Sequence, residues 1–188
     1  MPKYGIIYSV KGSVKMEKYI PDIYQKSIYT VDYSKLLSKG IKCLLFDLDN
    51  TIVPPKSNEM PEKAKELFIS LKQKGFKVII FSNSPKSRVK RFKEFLNVNG
   101  VHMAAKPFSR KLKKLLAKEK LNISEVAIIG DQLLTDVAGG NKIGITTILI
   151  NPITSEDHIF SVLSRWLEKQ KLKKLKANFQ FDKGTYYD

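Results

Sequence analysis

From residue 41 onward, short and mostly apolar runs alternate with stretches in which apolar residues recur every three or four positions. Ile41 to Phe46, Phe76 to Phe81, Val126 to Ile129 and Ile145 to Ile150 are apolar runs rich in β-branched and aromatic residues, and Val101 to Ala104 is a shorter one. Between them, Pro61 to Lys74 places Ala64, Leu67, Phe68 and Leu71 on one helical face and is closed by Gly75. Pro85 to Leu96, Arg110 to Lys120 and Leu133 to Gly139 also read as helices. Continuous apolar strands separated by amphipathic helices predict an α/β fold, a parallel sheet covered on both faces. Right-handed crossovers in such a sheet put ligands at the carboxyl ends of the strands.

The flanks are less regular. Residues 1 to 18 mix Lys, Gly and Ser with a few apolar residues and read as loose, as termini often are. Pro21-Asp22 can open a short helix, with Ile20, Ile23, Tyr24 and Ile28 at helical spacing. At the other end, Ser155 to Lys176 predicts a helix with Ile159, Phe160, Leu163, Trp166 and Leu167 on one face. Lysines 169, 171, 173, 174 and 176 load its far end. Such a helix can pack on the sheet or lie on a membrane. The expected division is an extension with short elements over 1–40, a core over 41–152, and a basic helix and tail over 153–188.

Four short stretches at strand ends carry candidate chemistry. Asp47 directly follows the first apolar run, where its carboxylate can attack phosphorus. Asp49, two residues on, can protonate a leaving alcohol and later deprotonate water. Asn50 and Thr51 would close this loop with donors for phosphate oxygens. Ser82 ends the next run and offers a hydroxyl to a phosphoryl oxygen, and Asn83 beside it can do the same or hold the loop. Lys106, between Ala105 and Pro107, would offset charge on the nucleophile and on the transferring group. Asp131 follows Ile128-Ile129-Gly130, and Asp136 lies one helical turn further. Taken singly, Asp-x-Asp is also a turn or cap, Ser-Asn-Ser-Pro a helix start, and Asp136 a capping residue. Together, Asp47, Asp49, Asp131 and Asp136 are a carboxylate cluster that a hard cation such as Mg²⁺ would neutralise. His102 and His158 lack partners at metal-ligand spacing and read as structural.

Charge and cysteine content narrow the setting. The 34 Lys and Arg against 18 Asp and Glu give a formal charge of +16, which favours polyanionic partners or a strongly solvated surface. One cysteine, Cys43, cannot form an internal disulfide and sits within an apolar run, so a reducing compartment is compatible. No stretch reaches the ~20 apolar residues of a membrane-spanning helix.

The residues Asp47, Asp49, Thr51, Ser82, Lys106, Asp131 and Asp136 resemble the four motifs of the haloacid dehalogenase-like (HAD) superfamily. The runs Tyr19-Ile20-Pro21-Asp22, Asp47-Leu48-Asp49-Asn50-Thr51, Ala105-Lys106-Pro107 and Gly130-Asp131-Gln132-Leu133-Leu134-Thr135-Asp136-Val137 are similar to the YqeG-like, phosphatidylglycerophosphatase-like phosphatases of HAD subfamily IIIA. The resemblance implies a three-layer α/β/α, Rossmann-like fold and a Mg²⁺-dependent phosphomonoester hydrolase working through an aspartyl-phosphate. It further implies phosphatidylglycerophosphate as substrate, in phospholipid biosynthesis. The intervals Thr51 to Lys74 and Asn83 to Lys106 are too short for an inserted cap, since ~50 residues is the lower end of domain size.

An open site suits a phosphate carried on something large. The partners expected are a lipid headgroup and an anionic membrane surface, with a cytoplasmic location on the inner face of the membrane. Two alternatives stand beside this: a phosphatase for nucleic-acid, nucleotide or protein phosphate, and a non-catalytic polyanion-binding module.

Overall fold

A computed structural model gives the fold of residues 16–154, 170–177 and 184–188. Six strands form one all-parallel sheet: β1 (Ile23–Gln25), β2 (Cys43–Phe46), β3 (Lys77–Phe81), β4 (Asn99–Val101), β5 (Val126–Gly130) and β6 (Thr146–Ile150). Their spatial order is β1-β6-β5-β2-β3-β4, so β2 runs down the centre between β5 and β3. The helices are α1 (Tyr33–Ser38), α2 (Glu62–Gln73), α3 (Lys86–Leu96) and α4 (Arg110–Lys118). After β5, a π-helical turn over Leu133–Val137 runs into the short α5 (Ala138–Asn141).

Alternation along the buried strands explains the two faces. Leu44 and Phe46 point to one side, where Leu36 of α1, Phe68 and Leu71 of α2, and Phe92 of α3 cover them. Cys43 and Leu45 point to the other, against Leu112, Leu115 and Leu116 of α4. Every β2 side chain is buried, as a central parallel strand requires. The predicted three layers are therefore present. The intervals that would house a cap hold only a loop with α2, and α3 with β4.

Two elements differ from the sequence expectation. Residues 23–25 are not helical but form the edge strand β1, paired in parallel with Ile148–Ile150 of β6. Asp22 fixes this edge: its carboxylate accepts from the Thr147 N–H at 2.9 Å, and its own N–H donates to Thr147 Oγ1 at 3.1 Å. The helical spacing of Ile20, Ile23, Tyr24 and Ile28 was outweighed by pairing with a strand more than 100 residues away. The strand expected at Val101–Ala104 lies earlier, at Asn99–Val101, because Met103 and Ala105 take positive φ angles of 45° and 58° that end the extended run.

Of the expected C-terminal helix, residues 155–169 lie outside the described residues. Residues 170–177 are helical, and Leu175 is fully buried in a cluster with Tyr24, Leu133, Val137 and Leu149. This stretch turns an apolar side inward and leaves Lys173, Lys174 and Lys176 exposed.

Cys43 has no accessible surface, and burial pushes its thiol up to about 12. The thiolate is the reactive form. The native protein is therefore expected to resist alkylation at mildly alkaline pH and to label once per chain in denaturant, read by intact mass.

Candidate active site

The ends of the three central strands converge on one cavity. The β2 ladder continues one step past Phe46, because the Asp47 N–H donates to the Ile129 carbonyl of β5 at 2.9 Å. That bond aims the Asp47 side chain at the segment following β5. Asp47, Asp131 and Asp136 are all buried and offer carboxylate oxygens within 4.8 Å of one another. Lys106 closes the group: its Nζ lies 2.6 Å from Asp47 Oδ1 and 2.5 Å from Asp136 Oδ1. Thr51 Oγ1 donates to Asp131 Oδ1 at 3.4 Å.

The electrostatics follow from this crowding. Burial would lower the Lys106 ammonium, but the carboxylates of Asp136 and Asp47 outweigh it and hold the pKa above its ordinary value. Burial raises the Asp136 carboxyl, Lys106 pulls it back and Asp47 pushes it up again, leaving it at about 6. Three buried carboxylates against one ammonium leave an excess of negative charge. Hard oxygen donors at this spacing fit a divalent cation such as Mg²⁺.

Gly130 makes the close approach of Asp136 achievable. A Cβ on Gly130 would sit 2.2 Å from Asp136 Cγ, well inside any contact distance. The glycine before Asp131 is thus a space requirement set by Asp136, whose backbone is carried by the π-helical turn.

The remaining expected residues surround this group in less direct ways. The Asp49 carboxylate stands apart from the three-carboxylate group. It accepts from Ser84 Oγ and, at 2.7 Å, from Arg88 Nε. This departs from the expectation of four carboxylates around one ion. Ser82 Oγ lies 3.0 Å from Ser84 Oγ and so joins the Asp49 side of the cavity. Asn50 takes a positive φ of 62°, and its N–H donates to the Val53 carbonyl within its own turn. Its side-chain oxygen accepts from both the N–H and the hydroxyl of Thr154, at 3.1 Å each. Asn83 brackets the Lys106 backbone, accepting from its N–H at 2.8 Å and donating to its carbonyl at 3.2 Å. Both asparagines thus hold loops, which for Asn83 is one of its two expected roles.

Arg88 was missed by the sequence reading, and Ser84 was read there only as part of a helix start. Arg88 donates to Asp49 and also to the carbonyls of Ser57 and Pro54, at 2.8 and 3.0 Å. It fastens the loop after β2 to the first turn of α3. The available signal was position alone: an arginine in the first turn of a helix that starts at the carboxyl edge of the sheet.

A carboxylate at the end of the central strand, faced by a lysine and by acids from the neighbouring strand end, is suited to transferring a phosphoryl group, and the chain belongs to a phosphatase family. Residues 9–154 match the family described as mitochondrial PGP phosphatase, and the chain belongs to that family. It is 35% identical over 158 residues to a probable phosphatase, YqeG, of Bacillus subtilis, covering 84% of this chain and 92% of that one. It is 26% identical over 191 residues to phosphatidylglycerophosphate phosphatase 1 of Arabidopsis thaliana, a chloroplastic and mitochondrial protein. That match covers 88% of this chain but 53% of the plant protein. Among solved structures, a HAD subfamily III A hydrolase of Legionella pneumophila aligns with a TM-score of 0.50 at 22% identity, over 65% of this chain and 72% of its own. A hypothetical protein of Xanthomonas campestris aligns at 0.52 and 11% identity, over 84% and 99%. These two likenesses show the fold.

The Gly130 contact gives a direct test. Gly130→Ala is expected to displace Asp136 and lower phosphatase turnover about a hundredfold, the scale of an ångström-sized misplacement. Steady-state kinetics on a soluble phosphomonoester reads this, with circular dichroism to verify folding.

Proposed function

We propose that the chain hydrolyses the terminal phosphomonoester of phosphatidylglycerophosphate, with Mg²⁺ and through an aspartyl-phosphate. The observation that carries the chemistry is the buried group of Asp47, Asp131 and Asp136 closed by Lys106. The substrate rests on the name of the plant relative and on the absence of a cap over the site among the described residues.

In this scheme an Asp47 oxygen attacks phosphorus while the bond to the leaving alkoxide breaks. Asp49, held by Ser84 and Arg88, gives that alkoxide its proton. Water then attacks the same phosphorus, Asp49 takes its proton, and the phosphorus–Asp47 bond breaks to release inorganic phosphate. Lys106 orients Asp47 through its 2.6 Å contact and offsets charge on the transferring group. Asp47, Asp131 and Asp136 would hold the Mg²⁺, which supplies charge neutralisation at the phosphoryl oxygens. Ser82 and Thr51 present hydroxyls at the cavity for those oxygens.

No helix among the described residues is long and apolar enough to cross a membrane. A lipid headgroup would then be reached from outside, with the protein peripheral on an anionic surface in the cytoplasm. The test is phosphate release from phosphatidylglycerophosphate in mixed micelles. Activity lost to EDTA and restored by Mg²⁺ is the expected result; release from soluble phosphomonoesters alone would refute the lipid assignment.

A further inference from the structure

The mouth of the site carries apolar side chains that nothing in the catalytic scheme uses. Phe108 and Met103 are 70% and 59% exposed, the two most exposed large apolar side chains among the described residues, and Ile153 is 48% exposed. Each is tied to a site residue. The Met103 N–H donates to the carbonyl of Ser84, whose hydroxyl holds Asp49. The Phe108 N–H donates to the carbonyl of Ala105, so its turn encloses Lys106 and Pro107. The Ile153 N–H donates to the carbonyl of Asn50. Two loops, the β4–α4 connection with Met103 and Phe108 and the segment after β6 with Ile153, thus present exposed apolar residues beside the site. In water each of the three leaves apolar surface exposed beside a site residue.

Charge around the same opening points the same way. Helices α3 and α4 both begin at the carboxyl edge of the sheet, with Lys86 and Arg110 as their exposed first residues, and neither has an acid in its first turn. The positive end of a helix dipole favours anions there, so cations are locally unfavourable. Such a departure is expected where a surface faces an anionic partner.

Resting on the lipid-phosphatase reading above, we propose that this rim is the membrane-docking face. Met103, Phe108 and Ile153 enter the headgroup and upper acyl region of an anionic phospholipid surface, and Lys86 and Arg110 contact its phosphates. The cavity is then set over the bilayer, and a headgroup phosphate reaches Asp47 without its acyl chains leaving the membrane. Apolar rim and flanking cations match what an anionic bilayer offers, an apolar interior beneath negative headgroups.

Two variants of the full chain test this. Met103→Ser/Phe108→Ser/Ile153→Ser is expected to bind phosphatidylcholine vesicles doped with phosphatidylglycerol about tenfold or more weakly than wild type. It should retain turnover of para-nitrophenyl phosphate and lose turnover of phosphatidylglycerophosphate in vesicles in proportion to binding. Trp166 is the chain's only tryptophan. In a Trp166→Phe background, the indole introduced by Phe108→Trp should shift its emission to the blue on adding anionic vesicles, less so at high salt. Unchanged vesicle binding by the triple variant, an unshifted emission from the Phe108→Trp variant, or wild-type binding to RNA but not to vesicles would each overturn the docking face. Failure of the substrate reading looks different: wild type would bind the vesicles through this rim yet release no phosphate from phosphatidylglycerophosphate in detergent micelles.

Discussion

Asp47→Asn is expected to reduce turnover of every phosphomonoester at least about a thousandfold, because an amide oxygen is too weak a nucleophile to form the acyl-phosphate. The change is nearly isosteric. The amide oxygen can still accept from Lys106 Nζ, which lies 2.6 Å from Asp47 Oδ1 in the parent protein. One of three buried carboxylates is removed, so the metal-free variant should be at least as stable as wild type. Loss of activity with an undiminished urea midpoint would therefore assign the defect to chemistry. A second readout is available: brief incubation with a radiolabelled substrate and acid quenching should trap label on wild type and none on the variant. Turnover that survives the substitution would remove Asp47 from the nucleophile role.

The second large effect falls on stability. Lys106 is buried and is the cation shared by Asp47 and Asp136. Lys106→Met leaves both carboxylates in the interior without it, and breaking a buried pair in this way costs about 3–5 kcal/mol. The pH dependence has a definite sign. Asp136 already sits at about 6 with Lys106 present, against an ordinary value of 3.8, and removal of the ammonium raises it further. A carboxyl raised in the folded state contributes stability that is complete below its unfolded value and is lost as pH rises through its folded value. The metal-free variant should accordingly recover part of its deficit as pH falls from neutral toward 6, where its carboxyls take up protons. Urea unfolding of both proteins across that range measures it. A deficit that grows on acidification would contradict the burial argument.

Much of this site was legible because motif and element coincide. Asp47, Ser82 and Asp131 each follow an apolar run directly, and in a parallel sheet the ends of neighbouring runs lie side by side. Lys106 was legible only by association with the others. What escaped was of two kinds. Arg88 and Ser84 act through one helix start and one loop, and their role depends on three-dimensional contacts that periodicity does not encode. Asn50 and Asn83 directly follow Asp49 and Ser82 in the chain, and their amides turn to Thr154 and to the Lys106 backbone. An amide serves a loop or a ligand equally well, and sequence does not decide between them. The edge strand β1 was hidden for a related reason. Three residues after a proline have little intrinsic signal, and their strand character comes from β6.

That edge strand has another consequence. A bare strand edge offers its N–H and C=O groups to any other chain that comes by. Here Tyr24 exchanges both backbone hydrogen bonds with Tyr187, at 2.8 and 2.9 Å, and Gln25 binds the Asp188 side chain. Residues 184–188 therefore serve as a seal on the sheet. Behaviour of the purified protein at high concentration becomes sensitive to this short stretch, which lies far along the chain from every catalytic group. Removing it would turn a covered edge into a seam along which two sheets can join.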